Sequence, residues 1–520
     1  MFFDIKRVKR IIGAGLMVPV VGSVAACGAS SDETGQDNFE FSISGLKSED
    51  VSYEVPKQTP NILVDQKGFK TSSEKTVVFR GEELEGTFGI YDLDSGKLVY
   101  TGEISKPVFN EELGEYDSFG RFNDFDAEGS YFIRTGVVGE SYSFGISGDY
   151  YAEILEDACK KYYMNRCGIA VSENYGGGVA HSACHTKSAR LQEDPEVQID
   201  VTGGWHMDEQ AGRDTGLGCR IADNLLLAYE MNIDVFGDET GIPESGNNIP
   251  DILDEVRYEA QWLLKMQDTR TGGIYGAAVT DTSGGSDIFT APVVVTPVSM
   301  DATIGFASMM ARFSYCYQQF DPDFATTCLK AADRAWTCFL NNKKAIDETA
   351  AYKAAAQLYR ATGSDTYHEV IKSFFAKSDF FELFENDENI FMGSVSYMST
   401  NQSVDREMCE SLMKALMKKA SGVAERAGKS PYLVCSGAGK KDFDGLLSDM
   451  RCLTITDHII YNHEYTTIIE NHVHYLMGMN PEAVNYVTDD TERTYADTGD
   501  IGIMNDPGRD ALFIIMLSVL

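Results

Sequence analysis

Four residues with metal-binding side chains stand out by type and spacing: Cys167, Cys184, His185 and His206, a C-x16-C-H-x20-H set. Two thiolates and two imidazoles are the ligand types of a closed tetrahedral zinc site. Gaps this long do not make a local finger. They would tie three separate loops together, as a structural ion does. Two other readings of the same residues stand beside it: a Cys167–Cys184 disulfide, or buried thiols with surface histidines. A second group, Glu244, Asp251 and Asp254, offers the hard oxygen ligands that calcium takes. These acids equally suit the negative first turn of a helix starting near Pro250, where the helix dipole favours carboxylates. His472 and His474 lie two apart, face different sides of a helix and make a poor metal pair.

Such side chains need elements to carry them. Residues 58–148 hold short β-rich runs, among them Thr76-Val-Val-Phe79, Gly86-Thr-Phe-Gly-Ile-Tyr91 and Tyr131-Phe-Ile-Arg134, punctuated by turns such as Asp94-Ser95-Gly96. That spacing predicts a small β-sandwich. From Tyr150 the period changes. Apolar residues at three-and-four spacing predict helices over 152–159, 218–231, 252–266, 300–320, 325–340, 349–362, 405–420 and 464–477, with a final apolar run over 511–520. Helices joined by Gly-rich loops, with no strands between them and no tight short repeat, fit a closed double ring better than an open array. Trp262 and Trp336 lie in these apolar patterns and read as core.

The N-terminus carries an address. Lys6, Arg7, Lys9 and Arg10 precede the apolar stretch Ile11–Val24, which is short for a membrane span and ends in Val24-Ala-Ala-Cys27. That ending resembles a bacterial lipobox, with Cys27 lipidated and residues 1–27 forming a lipoprotein signal peptide. An ordinary signal peptide cleaved near the same alanines is the rival. Either reading places the protein outside the cytoplasm, and the first predicts an extracellular protein lipid-anchored to the bacterial cell membrane. Residues 28–57 read as a flexible tether. With 44 Lys plus Arg against 80 Asp plus Glu, the formal net charge is −36. Such a surface repels nucleic acid and anionic lipid but not an uncharged polysaccharide. No phosphate loop, nucleophile elbow or dinucleotide fingerprint appears in a fitting context.

Several segments together resemble one family. Tyr163-Met-Asn-Arg-Cys-Gly168 with His181-Ser-Ala-Cys-His185, Asp200-Val-Thr-Gly-Gly-Trp-His206, Glu244-Ser-Gly-Asn-Asn-Ile-Pro-Asp-Ile-Leu-Asp-Glu255, and Tyr475-Leu-Met-Gly-Met-Asn-Pro481 with Asn485-Tyr-Val487 are similar to glycoside hydrolase family 9, the cellulase type. Val64-Asp-Gln-Lys-Gly68 resembles the immunoglobulin-like domain that precedes many such enzymes. The resemblance implies an immunoglobulin-like β-sandwich over 58–148 followed by an all-α (α/α)6 barrel over 149–520, with a glucan-binding cleft across one end. It implies structural zinc on Cys167, Cys184, His185 and His206, and calcium near Glu244, Asp251 and Asp254.

The resemblance also shows where this chain departs. An inverting glycosidase needs one carboxyl group to protonate the leaving oxygen and another to activate water. The family places two Asp residues in a W-x-D-A-G-D run. Aligned without a gap, Met207 and Gln210 occupy those positions here, and neither can act as a base. Asp208 and Glu209 stand next to them, either as a re-sited base or as ordinary loop acids. On the acid side, a gapped match puts Asp506 where the family has Glu; a gapless one puts Met504 there. Trp205 is expected as a sugar-stacking platform, Arg213 as a holder of a substrate hydroxyl or a carboxylate, and Tyr275 as a cleft residue. The leading expectation is inverting hydrolysis of a β-1,4-glucan or related plant polysaccharide by Asp208 or Glu209 with Asp506. The alternative is a catalytically inactive surface glycan-binding lipoprotein on the same scaffold; a purely adhesive surface protein is the third reading.

Overall fold

The computed structural model describes residues 51–177, 180–342, 347–430, 432–436, 439, 442–487 and 506–520. Cys27 with the rest of the leader, the tether as far as residue 50, Met504 and the acidic run after Val487 lie outside the described residues.

Two antiparallel-rich sheets form the first unit. One has the order β1(Ile62–Leu63), β3(Thr76–Arg80), β7(Glu115–Arg121), β6(Val108–Asn110). The other has the order β2(Gly68–Lys70), β10(Phe144–Ser147), β8(Gly129–Thr135), β4(Thr87–Asp92), β5(Leu98–Glu103), with β9(Gly139–Glu140) paired to β8. Phe69, Phe79, Phe88, Phe122 and Phe144 fill the space between them, all buried. Their rings meet mostly edge-on or tilted, as aromatic quadrupoles prefer. Gly68 sits at φ 140°, and a Cβ there would lie 2.1 Å from the Gly145 carbonyl oxygen, so only glycine lets β2 and β10 pair. The tether expected to reach residue 57 ends earlier. Val51 N donates to Gly96 O at 2.8 Å, and the Tyr53 ring packs on Phe132 with centroids 4.7 Å apart.

Helices dominate from Tyr150 onward. They are α1(Tyr150–Met164), α2(Thr215–Met231), α3(Asp251–Lys265), α4(Met300–Tyr317), α5(Pro322–Asn341), α6(Glu348–Thr362) and α7(Asp365–Phe375). After them come α8(Phe380–Asn386), α9(Glu388–Met398), α10(Arg406–Lys429), α11(Phe443–Ile460), α12(His463–Leu476) and α13(Pro507–Leu517). Helices α13, α2, α4, α6 and α9 pack in that succession, and α11 packs on α13. An Arg451–Glu388 ion pair of 2.9 Å joins α11 to α9. Helices α1, α3, α5 and α7 lie against α13, α2, α4 and α6 respectively, and α10 and α12 lie against α11. The expectation of no strands among the helices is corrected. Short strands β11(Ala189–Leu191), β12(Gln198–Ile199), β13(Arg213–Asp214), β15(Ala277–Thr280) and β16(Val293–Val295) form one sheet, and β14(Ile274–Tyr275) pairs with β17(Val298–Ser299). Among the described residues no helix is long and apolar enough to cross a membrane.

The helical interior holds charge as well as apolar side chains. Arg312 reaches Asp223 at 3.0 Å and Glu230 at 2.6 Å, Lys353 reaches Asp223 at 2.8 Å, and Arg360 pairs with Glu230. Burial alone would push both acids up, but the cations around them win and hold their pKa values below the ordinary ones. The two units are welded together by a similar device. Asp65 of the sandwich accepts from Tyr150 Oη at 2.8 Å and pairs with His474 Nδ1 at 2.8 Å, all three side chains being buried. Lys70 Nζ donates to Leu520 O at 2.7 Å. His474 therefore serves the domain junction.

Candidate active site and metal centre

The four metal-type ligands are brought together. Their donor atoms all lie within 4.8 Å of one another. Cys167 comes from the turn just after α1, Cys184 and His185 from the following loop, and His206 from the loop before α2. Backbone bonds draw these loops side by side: Cys167 N to Gly204 O at 2.8 Å and His206 N to Asn165 O at 2.7 Å. The sulfurs stand 3.7 Å apart as free thiols, which sets aside the disulfide reading for this conformation. Cys167 Sγ is 3.3 Å from His185 Nδ1, and Cys184 Sγ is 3.4 Å from His206 Nε2. Zinc–sulfur bonds of about 2.3 Å and zinc–nitrogen bonds of about 2.0–2.1 Å make a tetrahedron with S–S edges of about 3.8 Å and S–N edges of about 3.5 Å. The donor set fits. His185 Nε2 lies 2.8 Å from Ile288 O, a second contact that orients the ring and leaves Nδ1 facing the sulfurs. The Cys167 hydrogen bond holds the Cys184 thiol down as a thiolate, while sharing that proton pushes Cys167 up.

Glu244, Asp251 and Asp254 are not gathered in the same way. Glu244 pairs with Arg166 at 2.8 Å, Asp251 Oδ2 accepts from Thr240 and Ser245, and Asp254 Oδ2 accepts from Asn247 at 2.9 Å. Among the described residues the cysteine–histidine set is the one cluster with metal-site spacing. Glu244 Oε2 and Asp251 Oδ1 are nevertheless buried without a hydrogen-bond partner.

The loop before α2 is a stapled turn. Asp208 Oδ1 accepts from Gln210 N at 2.9 Å and Gly212 N at 2.8 Å, and Met207 N donates to Gly212 O at 2.9 Å. Ala211 closes it at φ 53°. Asp208 and Glu209 are both exposed, whereas Met207 turns inward against the core. Asp214 then caps α2, accepting from Leu217 N at 2.7 Å. Asp506 does the same for α13, accepting from Gly508 N at 2.8 Å and Arg509 N at 3.1 Å, with Pro507 in the first turn. Tyr162 joins the two regions: its ring packs on Trp205 at 5.0 Å and its hydroxyl donates to Pro507 O at 2.6 Å. Asp208, Glu209 and Asp506 thus belong to one end of the helical domain.

The expected substrate contacts are corrected. Trp205 is 0% exposed, so it has no free face for a sugar. Arg213 is 1% exposed and donates through Nη1 to Val201 O at 2.6 Å and Gly203 O at 2.8 Å; it braces the loop from inside. Tyr275, 9% exposed, lies in β14 and is largely covered.

Glu259, which no sequence motif signalled, lies beneath this loop. Its Oε2 accepts from Trp205 N at 3.0 Å, and its Oε1 is buried without a partner. A Cβ on Gly218 would lie 2.2 Å from that Oε1 and 3.0 Å from Met207 Cε, so Met207 and Glu259 meet against α2. Burial pushes Glu259 from 4.5 up to about 8. Between those values the folded state holds a proton that the unfolded chain has released. Stability is therefore fully present below 4.5 and declines as pH rises through about 8. Glu259→Gln keeps the acceptor for Trp205 N and is expected to flatten this decline, which for one site approaches about 1.4 kcal/mol per pH unit. Denaturant unfolding across that pH range checks it; an unchanged slope in the variant would mean Glu259 is not the titrating group.

Comparison with known proteins follows the same division of the chain. Residues 151–498 match the model described as glycosyl hydrolase family 9, and residues 57–140 match the cellulase N-terminal ig-like domain. A cellodextrinase of Butyrivibrio fibrisolvens is 25% identical over 477 residues, covering 84% of this chain and 85% of that one. A metagenome-derived glycoside hydrolase family 9 endoglucanase superposes with a TM-score of 0.77 at 23% identity, covering 88% of this chain and 98% of that one. A Zn-binding triple mutant of a family 9 endoglucanase superposes with a TM-score of 0.70 at 25% identity, covering 80% and 83%.

Proposed function

The chain belongs to glycosyl hydrolase family 9, a family of glycosidases, and carries that family's immunoglobulin-like N-terminal domain. From that premise we propose that it hydrolyses β-1,4-linked glucan or a related plant polysaccharide by an inverting two-carboxyl mechanism. Asp506 protonates the glycosidic oxygen as the bond from the anomeric carbon breaks. Asp208 or Glu209 takes a proton from the water that attacks the opposite face. An inverting pair stands roughly 6.5–9.5 Å apart to admit that water. The observation that carries this reading is the Tyr162 bridge, which sets the loop of Asp208 and Glu209 beside the helix start of Asp506.

The helix succession supports an (α/α)6 barrel, with α2, α4, α6, α9, α11 and α13 as its inner ring. Cys167, Cys184, His185 and His206 would hold zinc. Its contribution is structural, fixing the loop that ends in Met207. Glu244 Oε2 and Asp251 Oδ1, the buried oxygens without partners, would face a calcium ion. The signal sequence supports an extracellular protein anchored to the cell membrane through Cys27, with polysaccharide as its partner.

The inward turn of Met207 and the use of Asp208 Oδ1 as a loop staple favour one competing reading, a catalytically inactive glycan-binding lipoprotein. Reducing-sugar release by the purified protein from β-glucans, xylan and short oligosaccharides separates the two. Release is expected, and it should fall about 100-fold or more in either Asp208→Asn or Glu209→Gln. Full activity in both variants would remove them as bases. No release from any substrate by folded, metal-loaded protein, with saturable oligosaccharide binding, would establish the binding reading.

A further inference from the structure

Glu388 opens α9, and its sequence position gives no hint of a special role. Capping of that helix is already supplied by Asp387, which accepts from Ile390 N at 3.0 Å. Glu388 reaches instead toward the centre of the inner helices. Its Oε1 accepts from Arg451 Nη1 of α11 at 2.9 Å, and the same Nη1 donates to Asn224 Oδ1 of α2 at 3.1 Å. Lys353 of α6 and Asp223 of α2 are the other charges facing it.

Its exposure sets it apart from these neighbours. The Glu388 side chain keeps 53% of its surface open, against 3% for Arg451, 4% for Asp223 and 14% for Lys353. Arg451 of α11, Lys353 of α6 and Asp223 of α2 nevertheless stand around it on three sides. A residue that is both enclosed and wet lines a concavity. Arg451 holds the carboxyl's pKa below its ordinary value, so it is an ionised acceptor at neutral pH. No hydrogen bond occupies Oε2 among the described residues, and buried Arg451 has a second unmet group, Nε–H. Each charge here already has an opposite partner, Glu388 with Arg451 and Asp223 with Lys353 and Arg312, which suits a neutral, hydroxyl-rich ligand better than an ionic one.

We propose that Glu388 is a substrate-binding residue, accepting hydrogen bonds from the hydroxyls of a β-1,4-glucan bound over the inner helices. This rests on the glycosidase family reading above. Nothing in it depends on which carboxyl acts as base.

The test is calorimetric binding of cellotetraose to the full protein and to Glu388→Gln, with kcat and KM for its hydrolysis. Gln keeps a neutral acceptor for Arg451, so the variant should fold; thermal unfolding checks this. A hydrogen bond to a charged group contributes about 1.5–3 kcal/mol, so cellotetraose affinity is expected to weaken by about tenfold or more. KM should rise alongside, with kcat much less affected. Wild-type binding with unchanged affinity in Glu388→Gln would overturn the Glu388 assignment alone. A loss confined to kcat would also overturn it, because Glu388 would then be a chemical group. Wild-type protein that neither binds nor cleaves cellotetraose would overturn the glucan reading and this proposal with it.

Discussion

Cys184→Ser is expected to release the bound metal, lower the unfolding temperature by about 3 °C or more and depress activity together with it. A serine hydroxyl does not ionise, so it cannot replace the thiolate that Cys184 provides. Three loops meet at this cluster, and binding energy gained only in the folded state is folding energy. Loss of such a tie costs about 3 kcal/mol or more, and in a chain of this size each kcal/mol moves the transition by roughly 1 °C. Activity should follow because His206 immediately precedes the stapled turn of Asp208. Metal content per chain and thermal scans of wild type, Cys184→Ser and chelator-treated wild type give the readout. The chelated protein should also become prone to a Cys167–Cys184 disulfide under oxidant, since the free sulfurs are 3.7 Å apart. Protein isolated without metal yet as stable as the metal-loaded form would overturn the structural-ion reading.

The sequence made the metal cluster legible because ligand type is chemically narrow and survives long spacing. The immunoglobulin-like unit was legible from its alternating runs and turns. The helices that escaped the periodic reading were α7, α8, α9 and α11. Helix α9 is buried around almost its whole circumference, from Ile390 to Met398, and α11 is buried on most sides. With no polar face there is no period of 3.6 to detect. That blindness hid Glu388, whose significance depends on Arg451 of one unrecognised helix meeting the first residue of another. Trp205 and Arg213 misled for the opposite reason. Their residue types suit sugar binding, but Gly203 and Gly204 bring the loop so close over Trp262 that both side chains turn inward. Glu255 and Glu259 were invisible as unusual carboxyls because a helical acid reads as solvated until burial is known. Burial pushes Glu255 up to about 7 against the pull of Arg166, and Glu259 higher still.

Asp506→Asn is expected to lower kcat on natural glucans by about 10²–10⁴-fold while leaving stability within about 0.5 kcal/mol of wild type. The two consequences separate because the residue holds two functions. Its Oδ1 caps α13 through Gly508 N and Arg509 N, and an asparagine carbonyl oxygen can accept the same bonds. The amide has no proton to give to a leaving alkoxide. A substrate whose leaving group is already acidic, such as a dinitrophenyl cellobioside, needs little protonation and should lose far less activity. Equal losses on both substrates would point to a misplaced loop, and no loss on either would remove Asp506 as the acid. Asp510, one turn further on, is the other carboxyl at this helix start. Burial pushes it up to about 6, close to the range a general acid needs, but Lys161 holds it at 2.9 Å and its side chain is only 4% exposed. Asp510→Asn should therefore leave the Lys161 ammonium without its anion and reduce stability first, with any loss of kcat independent of the leaving group. The contrast between the two variants, measured on the same pair of substrates, assigns the proton to one position on α13.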